Sequence, residues 1–536
     1  MRVVFLIIAL FLYCTVWAQL SPSMIRALDS VATQDVLIGA PGIATGIVQN
    51  GKIIYQKVSG FANLPDSMLI TSTTRFNIAS NGKQFTALAV LRLIDEKKLS
   101  LNDDLRKFLP GLYPGIKEPI TIRHLLTHSS GIRDVYDLWS LQGITWWKQS
   151  FGNKDVISLL EKQQDLNFTP GSKYLYSNSN YILLATIVEK VTGRSFIDYT
   201  NAMFKKLGMH NTSFESDAQK IRGPIARAYF NFGTWTTYDW IWNVYGDGNL
   251  FTTLADLMIY EQRLQKGRSW KVEGRSQQPV LGSSITNYGY GLEFGTYKGM
   301  LYTFHEGATG AWKATVIRFP EKKVSIVTLV NTGKATPNTQ TRQMADVFFG
   351  IPKNASFWLT KPTSEGPTVK EEEIIGTYLT EDNFAFQFEQ REGKLYLKRV
   401  GRNDVLLERE GANIFHQAYD PAFKQEFLKN AKGEFTVTAY YTSHAPYTLT
   451  KVNANFDGFD FASLTGKYLN TETDVVISMQ HNRGNSYTVQ IGTDSTQGLL
   501  VTPGKMLVDN YVLELSDREL RLGGDRIQHV IFQKIY

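Results

Sequence analysis

Hydrophobic and polar residues along the first two thirds of the chain follow the patterns of strands and helices in turn. Two β-rich runs, GIATGIVQ and KIIYQKVSG, flank Asn50-Gly51, and an Asn-Gly pair in this setting predicts a β-hairpin. Helical patterns follow, such as QFTALAVLRLIDEKK and NYILLATIVEKVTG, separated by long polar or aromatic loops. Near the end of this region, WKATVIRFP and KVSIVTLVN are typical of successive antiparallel strands. The pattern predicts one α/β domain, an antiparallel sheet flanked by helices, with strands from distant parts of the chain.

The last third of the chain has a different pattern. Residues 352–372 are rich in Pro, Ser, Thr, Gly and charge, which predicts a linker. Beyond it, hydrophobic residues recur with period two, as in DVVISMQHNRGNSYTVQIG, and this half is predicted to be all-β. The segments IIGTYLTED and LTGKYLNTE align through Gly376 and Gly466. The repeat predicts two similar β-barrel-like modules at 373–460 and 461–536; chance similarity between two strand starts is the alternative.

The N-terminus has the features of a secretory signal peptide. Arg2 precedes the apolar run VVFLIIALFLYCTV, and the small residue Ala18 stands just before polar Gln19. The run is shorter than the ~20 residues of a membrane-spanning helix, so we expect no stable span, with an uncleaved anchor as the alternative. We expect cleavage of residues 1–18 near Ala18 and export to the periplasm or medium. The only cysteine, Cys14, lies in this segment, which excludes disulfides and cysteine chemistry from the mature protein.

Composition narrows the function classes. A chain of 536 residues with 43% hydrophobic and 20% charged residues is an ordinary globular protein of several domains. The net charge of +7 is not gathered into a long run of Lys and Arg, so we expect a solvated basic surface and no nucleic-acid partner. Attraction to anionic cell-wall material stays open. The chain has no Walker A or dinucleotide fingerprint, and we expect no cofactor.

Ser80 and Lys83, in FNIASNGKQFTALAVL, form the first candidate for chemistry. A serine hydroxyl is a poor nucleophile unless a neighbouring group takes its proton. Lys83 lies at i+3 on the same helix face, but it can act as a base only if burial or a cationic neighbour lowers its pKa. The alternative is that Ser80 simply caps a helix.

Two further segments carry candidate residues. Tyr176 and Asn178 lie on a loop between the turn at Pro170-Gly171 and an apolar helix, where side chains can project into a cleft. His305 and Gly307 stand at the end of a strand, where a glycine lets a ligand backbone approach the strand edge. A satisfied structural histidine is the alternative for His305.

A pair of histidines has the spacing of a zinc helix. His124 and His128 are four residues apart in RHLLTHSSG, but the glutamate of a zinc motif is missing between them. We therefore expect His128 in the last helical turn near the carbonyl ends, His124 packed structurally, and no metal site.

These segments, in this order, resemble the serine β-lactamase and penicillin-binding-protein superfamily, in its class C-like branch that includes D-aminopeptidases, DD-peptidases and esterases. The similarity extends over roughly residues 25–350 and includes ITIRHLLTHSSGI, LGMHNTSF and GDGNLFTTLADLMIYEQRL. It implies a β-lactamase/transpeptidase-like hydrolase domain at 19–351. The two β-modules resemble the layout of three-domain D-aminopeptidases.

The resemblance implies a role for each candidate residue. Ser80 attacks a carbonyl and forms an acyl-enzyme, assisted by Lys83. Tyr176 accepts the serine proton and passes it to the leaving group, and Asn178 positions the substrate amide. The backbone N–H groups of Ser80 and Ala308 form the oxyanion hole. The sequence does not decide whether Lys83 or Tyr176 is the general base.

The third motif departs from the family pattern. His305 stands where the family usually has the lysine of Lys-Thr-Gly, and Glu306, if it faces the cleft, would repel a carboxylate. We therefore expect little β-lactamase activity. We also expect a substrate whose group beside the third motif is neutral or carries a free amine. The loops ITWWKQSF and FGTWTTYDWIWNVYG either line the cleft mouth or pack on the surface. We therefore expect an exported serine hydrolase that acts on small esters or on peptides and amides that contain D-residues. One alternative is a plain carboxylesterase. The other is a penicillin-binding protein that senses the cell wall and does not turn over its ligand.

Overall fold

A computed structural model describes residues 20–535 with gaps at 145–147, 268–270, 279–286, 353–365, 382–383, 399–403, 419, 441–445, 493 and 517. The predicted signal peptide and most of the predicted linker lie outside the described residues, as does part of the first aromatic loop. Within the described ranges, no helix has the length and apolar character needed to cross a membrane.

Several helices start or end where the local sequence supplies a cap. For example, the side chain of Thr253 accepts a hydrogen bond from the N–H of Asp256 at the start of one helix, and Gly267, with φ of 61°, ends it. The helices are α1 (Pro22–Thr33), α2 (Lys83–Asp95), α3 (Ile122–Leu126), α4 (Val135–Leu141), α5 (Asn153–Glu161), α6 (Asn178–Thr192), α7 (Phe196–Leu207), α8 (Leu254–Lys266), α9 (Lys271–Ser276), α10 (Pro337–Phe349) and α11 (Glu371–Ile374).

An antiparallel sheet forms the centre of the first domain, with strand order β10-β11-β12-β13-β14-β1-β2. The sheet joins the two ends of the domain, because β1 pairs with β14. The strands of this domain are β1 (Ile43–Gln49), β2 (Lys52–Ser59), β3 (Phe61–Asn63), β4 (Met68–Leu69), β5 (Arg75–Asn77), β6 (Ser213–Phe214), β7 (Phe230–Asn231), β8 (Trp235–Thr236), β9 (Leu250–Thr253), β10 (Tyr288–Gly289), β11 (Leu292–Tyr297), β12 (Met300–Thr309), β13 (Trp312–Phe319) and β14 (Val324–Val330). The expected α/β fold with a flanked antiparallel sheet is confirmed.

Both faces of the sheet are covered by helices. On β14, Ile326 packs with residues of α1 and α10 such as Leu28 and Met344, whereas the next residue, Val327, belongs to the larger core that contains α2, α6 and α8. Alternation along a strand sends neighbouring side chains to opposite faces, so a strand covered on both sides is hydrophobic throughout. Every residue of β14 is buried.

The predicted hairpin at Asn50-Gly51 is confirmed. It connects β1 and β2, and Asn50 and Gly51 both have positive φ, 50° and 71°. Two positive values are the geometry of the type I′ turn, which Asn-Gly adopts most readily.

The C-terminal half forms two closed barrels of eight strands each. The repeated segments start equivalent strands: the hydroxyl of Tyr378 donates to the carbonyl of Ile374 (2.9 Å), and that of Tyr468 donates to the carbonyl of Leu464 (3.0 Å). The first barrel consists of β15 (Gly376–Leu379), β16 (Ala385–Arg391), β17 (Lys394–Lys398), β18 (Val405–Arg409), β19 (Ile414–Gln417), β20 (Asp420–Lys429), β21 (Phe435–Tyr440) and β22 (Tyr447–Lys451). The second consists of β23 (Gly466–Asn470), β24 (Val475–Arg483), β25 (Ser486–Ile491), β26 (Asp494–Thr502), β27 (Lys505–Val508), β28 (Tyr511–Leu515), β29 (Glu519–Gly523) and β30 (Val530–Lys534).

A buried arginine of the first domain contributes to the contact with the second barrel. Arg133, with 1% of its side chain exposed, donates to the carbonyl oxygens of Gln528 (3.2 Å) and His529 (2.9 Å) and to the carboxylate of Glu472 (2.7 Å). The three acceptors lie on the barrel. A planar guanidinium matches several fixed acceptors at once, so this side chain helps to fix the barrel on the domain, together with contacts such as that of Gln142 Nε2 with the carbonyl of Thr473 (2.8 Å).

Substitution Arg133→Met should loosen the second barrel. It leaves buried carbonyl oxygens and a partly buried carboxylate without their donor, and we expect a loss of about 3 kcal/mol in stability. Thermal unfolding and the rate of limited proteolysis in the barrel measure the loss. The control is Arg521→Met, because Arg521 is 52% exposed and pairs on the surface with Glu519, an interaction worth less than about 1 kcal/mol. Equal behaviour of the two variants would contradict the assignment.

Candidate functional site

Ser80 lies in a tight turn that connects β5 to α2. The turn is a single 3₁₀ segment, Ala79–Gly82, in which Ala79 has a φ of 47° and its N–H donates to Oδ1 of Asn77 (2.9 Å). Left-handed backbone at a residue other than glycine is strained and needs support from its surroundings. Neither the turn nor α2 has a side-chain hydrogen bond at its N-cap, so Ser80 does not cap the helix.

Lys83, the first residue of α2, is fully buried beside Ser80. Its Nζ donates to Ser80 Oγ (3.0 Å), to Oδ1 of Asn178 (2.8 Å) and to the backbone carbonyl of Asp247 (2.6 Å). Burial lowers the pKa of Lys83 to about 8; the nearby charges of Asp247 and Asp134 oppose this shift. The side chain is therefore held in contact with the hydroxyl and is poised between its charged and neutral forms.

Tyr176 lies on the other side of the hydroxyl. Burial raises the pKa of Tyr176 far above its usual range, although its hydrogen bond with Ser80 acts in the opposite direction. Its ring packs against His128, with centroids 4.2 Å apart, and Lys83 Nζ lies 5.0 Å from the Tyr176 ring centroid. Tyr176 is thus a neutral phenol at any physiological pH.

His124 and His128, which have the spacing of a zinc helix, make other contacts. His124 Nδ1 accepts a hydrogen bond from the N–H of Thr121 (3.3 Å) in the capping box of α3. The prediction that His128 lies in the last helical turn is wrong, because α3 ends at Leu126. His128 is buried under Tyr176, where burial lowers its pKa far below the usual value, and the N–H of Ser177 donates to its Nδ1 (3.2 Å).

Asn178 begins α6 and is fixed by Asp134. Oδ2 of Asp134 accepts hydrogen bonds from the backbone N–H (2.6 Å) and the side-chain Nδ2 (2.8 Å) of Asn178. The amide oxygen of Asn178 must then point the other way, and it accepts from Lys83. Asp134 therefore sets both the orientation of the amide and, through it, the position of the lysine.

His305 and Gly307 of β12 lie close to the turn but do not line the cavity described below. His305 Nε2 is 2.8 Å from the hydroxyl of Tyr288, and burial lowers the pKa of His305 to about 3, so the ring is neutral. At Gly307, a Cβ atom would lie 2.2 Å from the carbonyl oxygen of Ile78 and 3.1 Å from the N–H nitrogen of Ser80. The glycine lets the strand approach the Ser80 turn, where the sequence predicted the approach of a ligand.

Glu306 does not face the cleft. Its carboxylate pairs with Arg342 of α10 (2.9 Å) and accepts from Nδ2 of Asn338 (3.1 Å). Since neighbours in a strand point to opposite faces, Glu306 lies on the side away from His305. The repulsion of a substrate carboxylate was expected only if Glu306 faced the cleft, and this condition is not met.

A cavity of about 530 Å³ opens onto Ser80. Tyr176, Asn178 and Ala308 also line it, and this size suits a small ligand. One wall is aromatic and consists of Tyr136, Trp139, Trp240 and Trp242. The second predicted aromatic loop thus contributes to the cavity through Trp240 and Trp242.

Sequence reasoning missed Asp134, Asp247 and Arg526, although all three take part in the site. Asp134 and Asp247 lie in two segments quoted for the family resemblance or directly beside them, but neither segment singles out its aspartate. Arg526 lies on the loop between β29 and β30 of the second barrel and reaches the cavity. No local signal near Arg526 points to the Ser80 turn, which lies far earlier in the chain.

Comparison with known proteins gives a family model and similar sequences. The model described as beta-lactamase matches residues 29–348. Protein flp of Staphylococcus aureus is 36% identical over 37% of this chain, and the chain spans only 40% of that relative's length. A D-aminopeptidase of Cereibacter sphaeroides is 28% identical over 57% of this chain and 59% of its own length.

A solved structure shows the same fold. The octameric penicillin-binding protein homologue from Pyrococcus abyssi covers 80% of this chain and 100% of its own, with a TM-score of 0.58 and 23% identity.

Substitution Gly307→Ala should separate β12 from the Ser80 turn. The new methyl group would overlap the carbonyl of Ile78, and we expect the free energy of unfolding to fall by about 1–3 kcal/mol. Thermal unfolding measures it, and the rate of Ser80 labelling by a fluorophosphonate should fall with it. The control is Gly115→Ala, where a Cβ atom meets nothing within 4 Å. A Gly307→Ala protein as stable and as reactive as this control would refute the packing role.

Proposed function

The chain belongs to the beta-lactamase family, and on this basis we propose that it is a serine hydrolase that forms an acyl-enzyme at Ser80. We propose as substrates amides or peptides that contain D-residues, or small esters. The observation that carries the proposal is the contact of 3.0 Å between Lys83 Nζ and Ser80 Oγ at the edge of an open cavity.

Lys83 is the proposed proton acceptor. An ammonium group has three N–H donors, and the three acceptors around Lys83 use all of them. When Lys83 loses one proton, it keeps two donors for Asn178 and Asp247 and turns a lone pair to the Ser80 hydroxyl. A pKa of about 8 makes that neutral form accessible near neutral pH, whereas a phenolate at Tyr176 is far less accessible.

Acylation moves one proton from Ser80 to the leaving group through Lys83 and Tyr176. Ser80 Oγ forms a bond to the substrate carbonyl carbon while its proton passes to Lys83. The backbone N–H groups of Ser80 and Ala308 stabilise the negative oxygen. As the bond to the leaving group breaks, the Tyr176 hydroxyl donates its proton to that group. The proton held by Lys83 then passes to the Tyr176 oxygen and restores the phenol. Water releases the acyl group in a second step.

The substrate class rests on the surroundings of the nucleophile. The neutral imidazole of His305 provides no fixed positive charge at the third motif, which supports a preference for substrates other than β-lactams. The aromatic wall fits an apolar side chain. The similarity to a D-aminopeptidase supports a D-configured acyl group.

Substitution Ser80→Ala should abolish labelling by a fluorophosphonate and lower hydrolysis by roughly 10⁴ or more, since the covalent step disappears. A panel of D-aminoacyl amides, nitrophenyl esters and nitrocefin measures the activity, with unchanged thermal unfolding as the check on folding. Ser495→Ala, an exposed serine of the second barrel, is the control.

The outcomes of the panel separate the candidate functions. Faster turnover of nitrocefin than of D-aminoacyl amides and esters would contradict the proposed substrate class. Turnover of esters alone would identify a plain carboxylesterase. A label that persists for hours without turnover would identify a binding or sensing protein, and retained activity in Ser80→Ala would refute the proposal.

A further inference from the structure

His128 contacts the segment 175–177 at three points, although the proposed mechanism gives this histidine no role. Its carbonyl oxygen accepts a hydrogen bond from the N–H of Leu175 (2.9 Å), and its Nδ1 accepts one from the N–H of Ser177 (3.2 Å). Between these two residues, the ring of Tyr176 packs against the imidazole, with centroids 4.2 Å apart. One histidine therefore holds both chain neighbours of Tyr176 and the phenol ring itself.

The partners of His128 determine where its proton lies. Nδ1 faces two donors, the N–H of Ser177 (3.2 Å) and Nδ2 of Asn180 (3.2 Å). The amide of Asn180 is oriented by the hydroxyl of Ser130, which donates to Oδ1 of this amide (2.6 Å). Nδ1 must therefore offer a lone pair, and the proton of the neutral ring lies on Nε2. A second proton on Nδ1 would leave both donors without an acceptor, so the imidazole is held as a neutral acceptor.

The backbone of His128 is strained. Its φ of 52° lies in the left-handed region, where a side chain crowds the backbone and glycine is favoured. Glycine at this position would relieve the strain, but it would remove both the ring and the Nδ1 acceptor. Strained residues persist where the surrounding structure holds them, and they concentrate at functional sites. The left-handed backbone therefore agrees with a role of the side chain that glycine could not fill.

The Tyr176 hydroxyl must stay beside Ser80 to protonate a leaving group, yet Tyr176 lines an open cavity. Its other contacts with aromatic rings are longer, with centroids 6.0 Å apart for Tyr288 and 6.4 Å apart for His305. A displacement of a reacting group by about 1 Å can cost about 100-fold in rate. The imidazole of His128 is therefore the closest ring support of a hydroxyl whose position matters for the reaction.

We propose that His128 is a positioning residue that holds the Tyr176 hydroxyl where it can protonate the leaving group. This inference rests on the proposed acyl transfer at Ser80 and adds a residue to it. His128 is fully buried and does not line the cavity, so it acts through the segment 175–177 and does not touch the substrate. Its effect must then depend on the leaving group, because an amide nitrogen needs a proton to leave, whereas a nitrophenolate leaves as an anion.

Substitution His128→Asn tests the inference, because asparagine tolerates a left-handed backbone and offers an acceptor but has no ring. The substrates are the D-aminoacyl amide that the unsubstituted protein hydrolyses fastest and the nitrophenyl ester of the same amino acid. We expect kcat for the amide to fall about 10- to 100-fold with little change in KM. We expect kcat/KM for the ester to fall less than about threefold, since this leaving group needs no proton.

A second background and a control separate positioning from general damage. In the Tyr176→Phe protein, His128→Asn should change amide hydrolysis by less than about twofold, since the hydroxyl that it positions is already missing. His124→Asn is the matched control, because Nδ1 of His124 also accepts a backbone N–H, that of Thr121 in the capping box of α3. This exchange should leave the ratio of amide to ester hydrolysis unchanged. An equal loss on both substrates in His128→Asn would overturn the inference, and so would an unchanged amide rate.

A measurement on the unsubstituted protein decides the matter if His128→Asn does not fold. NMR of protein labelled with ¹⁵N-histidine reports the tautomer of His128, which is assigned through its contact with the Tyr176 ring. We expect a neutral ring with its proton on Nε2 at neutral pH. A proton on Nδ1 would overturn the inference, because Nδ1 could then not hold the N–H of Ser177. If the unsubstituted protein hydrolyses no amide and Ser80 is not labelled by a fluorophosphonate, the proposed function itself fails, and the inference fails with it.

Discussion

The site depends on one buried lysine with three hydrogen-bond acceptors. Lys83 connects the Ser80 turn, the first residue of α6 and the backbone carbonyl of Asp247, and each of these comes from a different part of the chain. Burying an ammonium group costs free energy unless its donors are satisfied. The fold provides an acceptor for each donor of Lys83, and burial still lowers the pKa of this side chain. Lys83 is therefore held in place and can also lose a proton near neutral pH.

The contacts of Asp134 hold the acceptors of Lys83 in place. Asp134 accepts from Asn178 and caps α4, and its backbone N–H donates to the carbonyl of Arg526. The orientation of the Asn178 amide, the start of α4 and the loop of the second barrel therefore depend on one aspartate. Since Arg133 is its neighbour in sequence and fastens the same loop, a short stretch of chain couples the barrel to the site.

Much of the fold and part of the site were predictable from short stretches of the sequence. Ser80 and Lys83 are three residues apart, so a helical turn brings them together whatever the rest of the chain does. The Asn50-Gly51 hairpin and the period-two pattern of the barrels are equally local. The orientation of Glu306 could also have been predicted, because His305 and Glu306 are neighbours in a strand and cannot face the same side.

The rest of the site depends on contacts between distant segments. The hydrogen bonds of Lys83 to Asn178 and Asp247 cross 95 and 164 residues, and the bond between Arg133 and His529 crosses 396. No local pattern of residues encodes such pairs. The same holds for the burial of His128 under Tyr176, which the helical spacing of the two histidines could not indicate.

The state of Lys83 in the folded protein tests the account most directly. Titration of the Lys83 Nζ resonance by NMR, in protein labelled with ¹⁵N-lysine and assigned with a Lys83→Arg variant, reports its pKa without any substrate. We expect a midpoint near 8, because burial outweighs the neighbouring carboxylates. A midpoint at the ordinary lysine value of ~10.4 would contradict it, since Lys83 would then remain charged and could not take the proton of Ser80.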